Sequence, residues 1–119
     1  YVERYQPQSG GVTVVNADMM TVDTAPWRKQ IQMFFYDGPH DAQSTYNAIV
    51  HYWNTFADEV VIILDDANWD GVVEGSRQAI NDCEGLVTYE KILLNSEAKL
   101  FCWSCSLVCF CLTGLWKMS

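Results

Sequence analysis

Two short apolar runs, each followed at once by acidic residues, dominate the hydrophobic pattern of the chain. The first, at 33–36, is followed by Asp37, and the second, at 60–64, is followed by Asp65 and Asp66. Apolar runs of this length without polar alternation are typical of buried strands in a parallel sheet. The pattern therefore predicts two strands, each of which ends at carboxylate side chains.

The segment between the two runs has the period of an amphipathic helix. Its apolar residues, which trace one helical face, are Tyr46, Ile49, Val50, Trp53, Phe56 and Ala57. We expect this helix to end near residue 57. A strand, a helix and a second strand form a βαβ unit with parallel strands. The acidic residues then meet at one edge of the sheet, where open α/β sheets bind ligands.

Shorter patterns complete the predicted domain. The β-branched run Val12–Val15 predicts a strand, 71–81 a short helix and 86–94 a further strand. Asp41 or Ser44 is the expected N-cap of the helix that precedes the second long run. Because strands alternate with helices, we predict an α/β fold with a mostly parallel sheet and flanking helices.

Length and composition indicate one small domain, because 119 residues suffice for a modest core. We divide the chain into a turn or linker at 1–11, an α/β core at 12–95 and an atypical Cys-rich apolar segment at 96–119. Three interpretations of that last segment are open: a final hairpin, an altered reading frame or a membrane tail. We favour the hairpin or the altered end, because its 17 uncharged residues are barely long enough to span a bilayer.

Net charge and cysteine content limit the partners and the redox compartment expected for the protein. A net charge of −8 argues against a nucleic-acid backbone as partner. Four of the five cysteines crowd into 102–111, and an odd, clustered set does not match a secreted disulfide framework. The crowding also fits poorly the two separated ligand pairs of a zinc site. We therefore predict a reducing, cytoplasmic setting.

The acidic residues at the predicted sheet edge are the sharpest candidates for chemistry. Converging carboxylates of Asp37, Asp65 and Asp66 repel one another, and a hard cation such as Mg²⁺ relieves that conflict. The alternative is a helix cap with solvated loop acids. His40 is a candidate general base, because imidazole titrates near neutrality, or else a surface histidine. Asp18 follows the first predicted strand and can face the same edge, or else forms an Asx turn.

The segments FFYDGPH and VVIILDDANWDGVVEGSRQAI, with the helix between them, resemble class I S-adenosylmethionine-dependent methyltransferases, most of all the macrocin or sugar O-methyltransferases. The resemblance covers about residues 10–95 and depends on the paired D-G-x-H and D-D motifs. It implies a Rossmann-like fold, a mostly parallel sheet with a reversed C-terminal hairpin. It also implies S-adenosylmethionine as cofactor and a hydroxyl of a sugar or other small molecule as acceptor.

The same resemblance implies roles for individual residues. Asp37, Asp65 and Asp66 match positions that hold Mg²⁺ in metal-dependent members. Asp18 matches an acidic position near the adenine of the cofactor, and Asp37 also lies on the cofactor side. Asp37 and His40 are the implied catalytic residues.

Two departures from the family pattern limit what the resemblance implies. Pro39 stands where some members carry a second acid, so His40 is only a substitute base. The glycine-rich loop and the ribose-binding acid of the first two βα units are absent, so we expect an N-terminally truncated, partial methyltransferase domain that alone binds the cofactor weakly or not at all. The alternative is a non-catalytic α/β remnant or interaction module. In either case, the exposed sheet edge of the isolated chain predicts association with a second copy or with a missing N-terminal half.

Overall fold

The computed structural model describes residues 11–93 and 106–115, together with the backbone of residues 2–5. The strands are β1 (Val2–Tyr5), β2 (Val12–Val15), β3 (Ile31–Tyr36), β4 (Phe56–Asp65), β5 (Val87–Leu93) and β6 (Leu107–Leu112). The helices are α1 (Ala42–Tyr52) and α2 (Asp70–Asp82), with short 3-10 turns at Met19–Thr21, Ala25–Trp27 and Trp53–Thr55. β1 and β2 form a two-stranded sheet, and the other four described strands form the main sheet.

The main sheet has the order β3-β4-β6-β5. β3 and β4 are parallel neighbours, which confirms the prediction from the two apolar runs. β6 is antiparallel to both β4 and β5, so three strands run one way and β6 runs against them. The prediction of a mostly parallel sheet is not confirmed. The sheet is mixed, because the reversed strand β6 lies between β4 and β5 and makes two of the three pairs antiparallel.

Both helices pack on one face of this sheet and contact each other. The buried residues alternate along β3, β4 and β6, as expected when one face of a sheet is covered. They are Phe34, Tyr36, Val60, Ile62, Leu64, Val108, Phe110 and Leu112. Ala48 and Ile49 of α1 and Val72, Ala79 and Ile80 of α2 complete this core. The apolar runs looked unbroken in the sequence because the residues of the opposite face are apolar as well.

The helix between the two runs is shorter than predicted. α1 ends at Tyr52, a 3-10 turn follows, and β4 already begins at Phe56. The Thr55 hydroxyl donates a hydrogen bond to the Tyr52 carbonyl oxygen at 2.6 Å, which tightens this turn. Phe56 is fully buried and pairs with Ile31 of β3. Its place in the helical period was coincidental, because a buried aromatic side chain satisfies either pattern.

The Cys-rich segment contributes the reversed strand. Residues Leu107–Leu112 form β6, which pairs with β5 as an antiparallel hairpin and so agrees with the hairpin expectation. Cys109 and Cys111 lie within this strand as free thiols. Cys102 and Cys105 lie outside the described residues. Within the ranges 11–93 and 106–115, no helix is both long and apolar enough to cross a membrane.

Candidate metal site

The pairing of β3 with β4 brings three carboxylates together. Tyr36 and Leu64 are direct partners in the parallel register, so Asp37 and Asp65 follow side by side at the carboxyl edge. One ligand atom from each of Asp37, Asp65 and Asp66 lies within 4.8 Å of the others. The predicted convergence is therefore confirmed, although 28 residues separate Asp37 from Asp65 in sequence.

A left-handed backbone conformation lets two consecutive residues share this site. Successive side chains of a strand point to opposite faces, but β4 ends at Asp65 and Asp66 has φ 61°. Aspartate is among the few residue types that adopt this conformation readily. Hydrogen bonds from the Ala67 N–H to the Ser106 carbonyl (3.0 Å) and from the Trp69 N–H to the Asp66 carbonyl (2.9 Å) hold the turn.

The electrostatics of the cluster favour the binding of a positive group. A hydrogen bond between the carboxyl groups of Asp37 and Asp65 raises the pKa of Asp37, and burial and the charges of Asp65 and Asp66 raise it further. Oδ1 of Asp65 is buried without a hydrogen-bond partner among the described residues. An orphaned buried carboxylate oxygen is costly. An oxygen-seeking divalent cation would use that atom and neutralise the repulsion.

The loop after β3 is held against the loop after β4. The Tyr36 hydroxyl donates to the Pro39 carbonyl at 2.7 Å, and a Cβ on Gly38 would lie 2.7 Å from the Tyr36 ring, so only glycine fits there without a shift. Farther along, the exposed His40 ring stacks on Trp69, with ring centroids 4.0 Å apart and planes within 11°. His40 is not a member of the carboxylate cluster. It lies on the adjoining loop, as predicted.

The contact between His40 and Trp69 was not predicted, although the sequence carries a signal for it. His40 is three residues after Asp37, and Trp69 is three residues after Asp66. Because the two strands are parallel neighbours, residues a few positions beyond their ends lie on neighbouring loops. The aromatic pair was therefore accessible from strand register, but not from either motif alone.

Asp18 does not share this edge of the sheet. α1 begins beside the carboxyl edge and ends at Tyr52 on the opposite edge, where the Tyr52 hydroxyl donates to the Met19 carbonyl at 2.7 Å. The Asp18 carboxylate accepts from the Met20 N–H at 2.9 Å, the Asx turn that was the alternative prediction. The expectation that Asp18 faces the ligand edge was wrong, because β2 lies in the separate sheet with β1. Its cofactor role has no support from this geometry.

A cleft of about 490 Å³ lies between α1 and α2. Its lining includes Tyr46, Glu74 and Asp82 but none of the three clustered carboxylates. The cluster and the aromatic pair therefore lie outside this cleft, at the carboxyl edge of the sheet.

Comparison with known proteins assigns no family to the chain: no family model matches it, and no match is found among curated proteins. Fold and site define its class instead. It contains a mixed α/β domain with a cluster of three carboxylates at the carboxyl edge of its parallel strand pair.

Proposed function

We propose that the domain, in complete form, is an S-adenosylmethionine-dependent O-methyltransferase that acts on a hydroxyl of a sugar or other small molecule. Asp37, Asp65 and Asp66 would hold a divalent cation, Mg²⁺, on the acceptor side. The observation that carries the proposal is the approach of these carboxylates to within 4.8 Å of one another at the carboxyl edge of parallel strands. The resemblance carried by the D-G-P-H and D-D motifs supplies the reaction class.

The donor set fits the cation. All three side chains offer oxygen, which Mg²⁺ prefers, and one of those oxygens is buried without a partner in the described structure. When bound, such a cation supplies Lewis-acid chemistry that lowers the pKa of a hydroxyl group. The role of the carboxylates is to hold and orient it. His40 would accept the acceptor proton, and Trp69 fixes the plane of its ring by stacking.

The described residues do not fit the methyl donor. Of the two residues predicted to contact it, Asp37 lies at the cluster and Asp18 lies at the opposite edge. A cofactor of this size needs a concave site that buries most of its surface. Binding must also offset an entropy cost on the order of 4–15 kcal/mol. We therefore expect this chain alone to bind the donor with a dissociation constant above the micromolar range.

Cation binding is the first test, because it separates the proposal from the non-catalytic alternative. Titration with Mn²⁺, followed by electron paramagnetic resonance, with Mg²⁺ as competitor, should show one site per chain. Asp65→Asn should weaken binding at least tenfold. Glu59→Gln is the matched control, since it removes one exposed carboxylate from the same strand about 20 Å away. An equal loss of metal affinity in both variants, or no binding by the wild-type chain, would favour the alternative of a non-catalytic remnant.

Calorimetric titration with S-adenosylmethionine tests the second part. Weak or absent binding is expected for this chain, with or without the metal. Micromolar binding by a monomer would overturn the conclusion that the described residues lack the donor site.

A further inference from the structure

The two edges of the main sheet are not equally protected against pairing with another strand. β5 carries Glu90 and Lys91, and Glu90 accepts two hydrogen bonds from Arg77 of α2, at 3.0 and 2.7 Å. β3, with the sequence IQMFFY, has neither a charged residue nor a proline. Charges and prolines are the usual means by which edge strands avoid association. Among the described strands, β3 pairs with β4 alone.

The sheet face opposite the helices is apolar up to this edge. The strand register aligns its side chains in two rows, Met33–Val61–Cys111–Tyr89 and Phe35–Ile63–Cys109–Lys91. Met33 is 63% exposed and Phe35 56% exposed, while Val61 and Ile63 of the neighbouring strand are half-buried. The exposed apolar surface therefore increases from β4 to β3, the unprotected edge.

We propose that β3 is a self-association site, at which a second copy of this chain adds its own β3 antiparallel across a two-fold axis. The result is one continuous sheet of eight described strands. With Phe34 at the axis, Met33 lies opposite Phe35 of the second copy, and Phe35 lies opposite Met33 of the second copy. Both pairs lie on the open face, where a thioether against an aromatic ring is a favourable contact. The strand is thus complementary to itself.

Charge favours the antiparallel direction of this pairing. The chain carries a net charge of −8, but β3 is uncharged, so contact there brings no charged side chains of the strands together. In the antiparallel arrangement the two acidic clusters lie at opposite ends of the paired strands, about 20 Å apart. A parallel arrangement would place them side by side. A two-fold contact also closes on itself and gives dimers rather than fibres.

The exposed area sets the expected strength. Two exposed side chains and one strand edge from each copy bury less than the roughly 800 Å² per partner of a standard stable interface. We expect a dissociation constant on the order of 10–100 µM. Addition of salt should strengthen the dimer, because it screens the repulsion between two acidic chains. This inference does not depend on the proposed function.

Sedimentation equilibrium of the 119-residue chain across 5–500 µM tests the dimer. Phe35→Lys should raise the dissociation constant at least tenfold. Tyr89→Lys is the matched control, because Tyr89 is 51% exposed on the same face but lies on β5. It should change the constant less than twofold. Far-ultraviolet circular dichroism of both variants checks that each remains folded.

Hydrogen exchange of the wild-type chain provides a test that needs no variant. Amides of β3 that point away from β4 should lose protection on dilution through the dissociation constant, whereas those of β5 should not. Monomers at 500 µM, open-ended oligomers, equal sensitivity to the two lysine substitutions, or dilution-dependent protection confined to β5 would each overturn the proposal. A dimer that Phe35→Lys alone disrupts, with protection gained in β3, supports it.

Discussion

Asp65→Asn should stabilise the protein without metal and remove its response to metal. The carboxylates of Asp37, Asp65 and Asp66 lie within 4.8 Å of one another. At that separation each ionised pair repels by about 1 kcal/mol in a dielectric of bulk water, and by more where burial lowers the dielectric. The substitution removes two such pairs. After screening by salt, we expect the metal-free variant to gain roughly 1 kcal/mol of unfolding free energy at pH 7.

With metal bound, the wild-type chain should become more stable than Asp65→Asn. A ligand at tenfold excess over its dissociation constant stabilises the folded state by about 1.4 kcal/mol, if it binds that state alone. The wild-type chain should gain this amount on addition of Mg²⁺, and Asp65→Asn should gain nearly nothing. Urea unfolding at pH 7 and low salt, with EDTA or with Mg²⁺, measures both effects. Glu59→Gln serves as control, because it alters net charge equally but lies at the other end of β4.

The pH dependence of the stability difference provides an independent test. The pKa of Asp37 is raised in the folded state, so folding favours its protonated form. The repulsion is therefore fully present above that raised pKa and is relieved as the pH falls through it. The advantage of metal-free Asp65→Asn should accordingly be present at pH 7 and shrink towards roughly pH 3. A variant that is less stable than wild type in EDTA, or that keeps the full response to Mg²⁺, would refute the reasoning.

Three further substitutions test the surrounding structure. Gly75→Ala should destabilise the protein by about 1–2 kcal/mol despite better helix propensity, because a Cβ there would overlap the backbone carbonyl at the start of α1. Glu90→Gln should cost roughly 0.2–1 kcal/mol at pH 7. Because Arg77 lowers the pKa of Glu90, this cost should be lost as the pH falls through the lowered pKa. Asp66→Gly should add about 1 kcal/mol of stability without metal, since glycine adopts the left-handed backbone freely, and should abolish the response to Mg²⁺; Glu84→Gly, at φ 59°, gives only the backbone effect. Urea unfolding measures all three.

The strand pair and its acids were predictable because both signals are local. An apolar run marks a strand, and the residue after it marks the strand end, so Asp37 and Asp65 were placed at one edge by the parallel βαβ rule alone. The hydrophobic pattern alone did not predict the strand directions in the rest of the sheet. β6 is an apolar run like the others, and nothing in such a run records whether its neighbours are parallel. The reversal of β6 is a property of its place between β4 and β5.

Asp18 shows why a motif at a strand end can mislead. Val12–Val15 is a strand, as predicted, but it pairs with β1 instead of joining the main sheet. The rule that strand ends share one edge applies only to strands of one sheet. Once β2 lies elsewhere, Asp18 has no reason to approach the cluster, and its carboxylate accepts from the Met20 N–H. Membership of a sheet depends on long-range pairing, which local propensity does not encode.

The edge strand β3 contributes both to the acidic cluster and to the proposed dimer contact. Its last buried residue, Tyr36, fixes the loop that follows Asp37 by its hydrogen bond to Pro39, while its exposed residues Met33 and Phe35 form the proposed dimer contact. A partner strand on the outer edge of β3 would restrict its fraying and so fix Asp37 relative to Asp65. Dimer formation and metal binding should therefore be positively linked, and by reciprocity each should strengthen the other. Sedimentation with Mg²⁺ against EDTA decides this. A dimer dissociation constant that falls with the metal, in wild type but not in Asp65→Asn, is expected; an unchanged constant would show that the two features of β3 act independently.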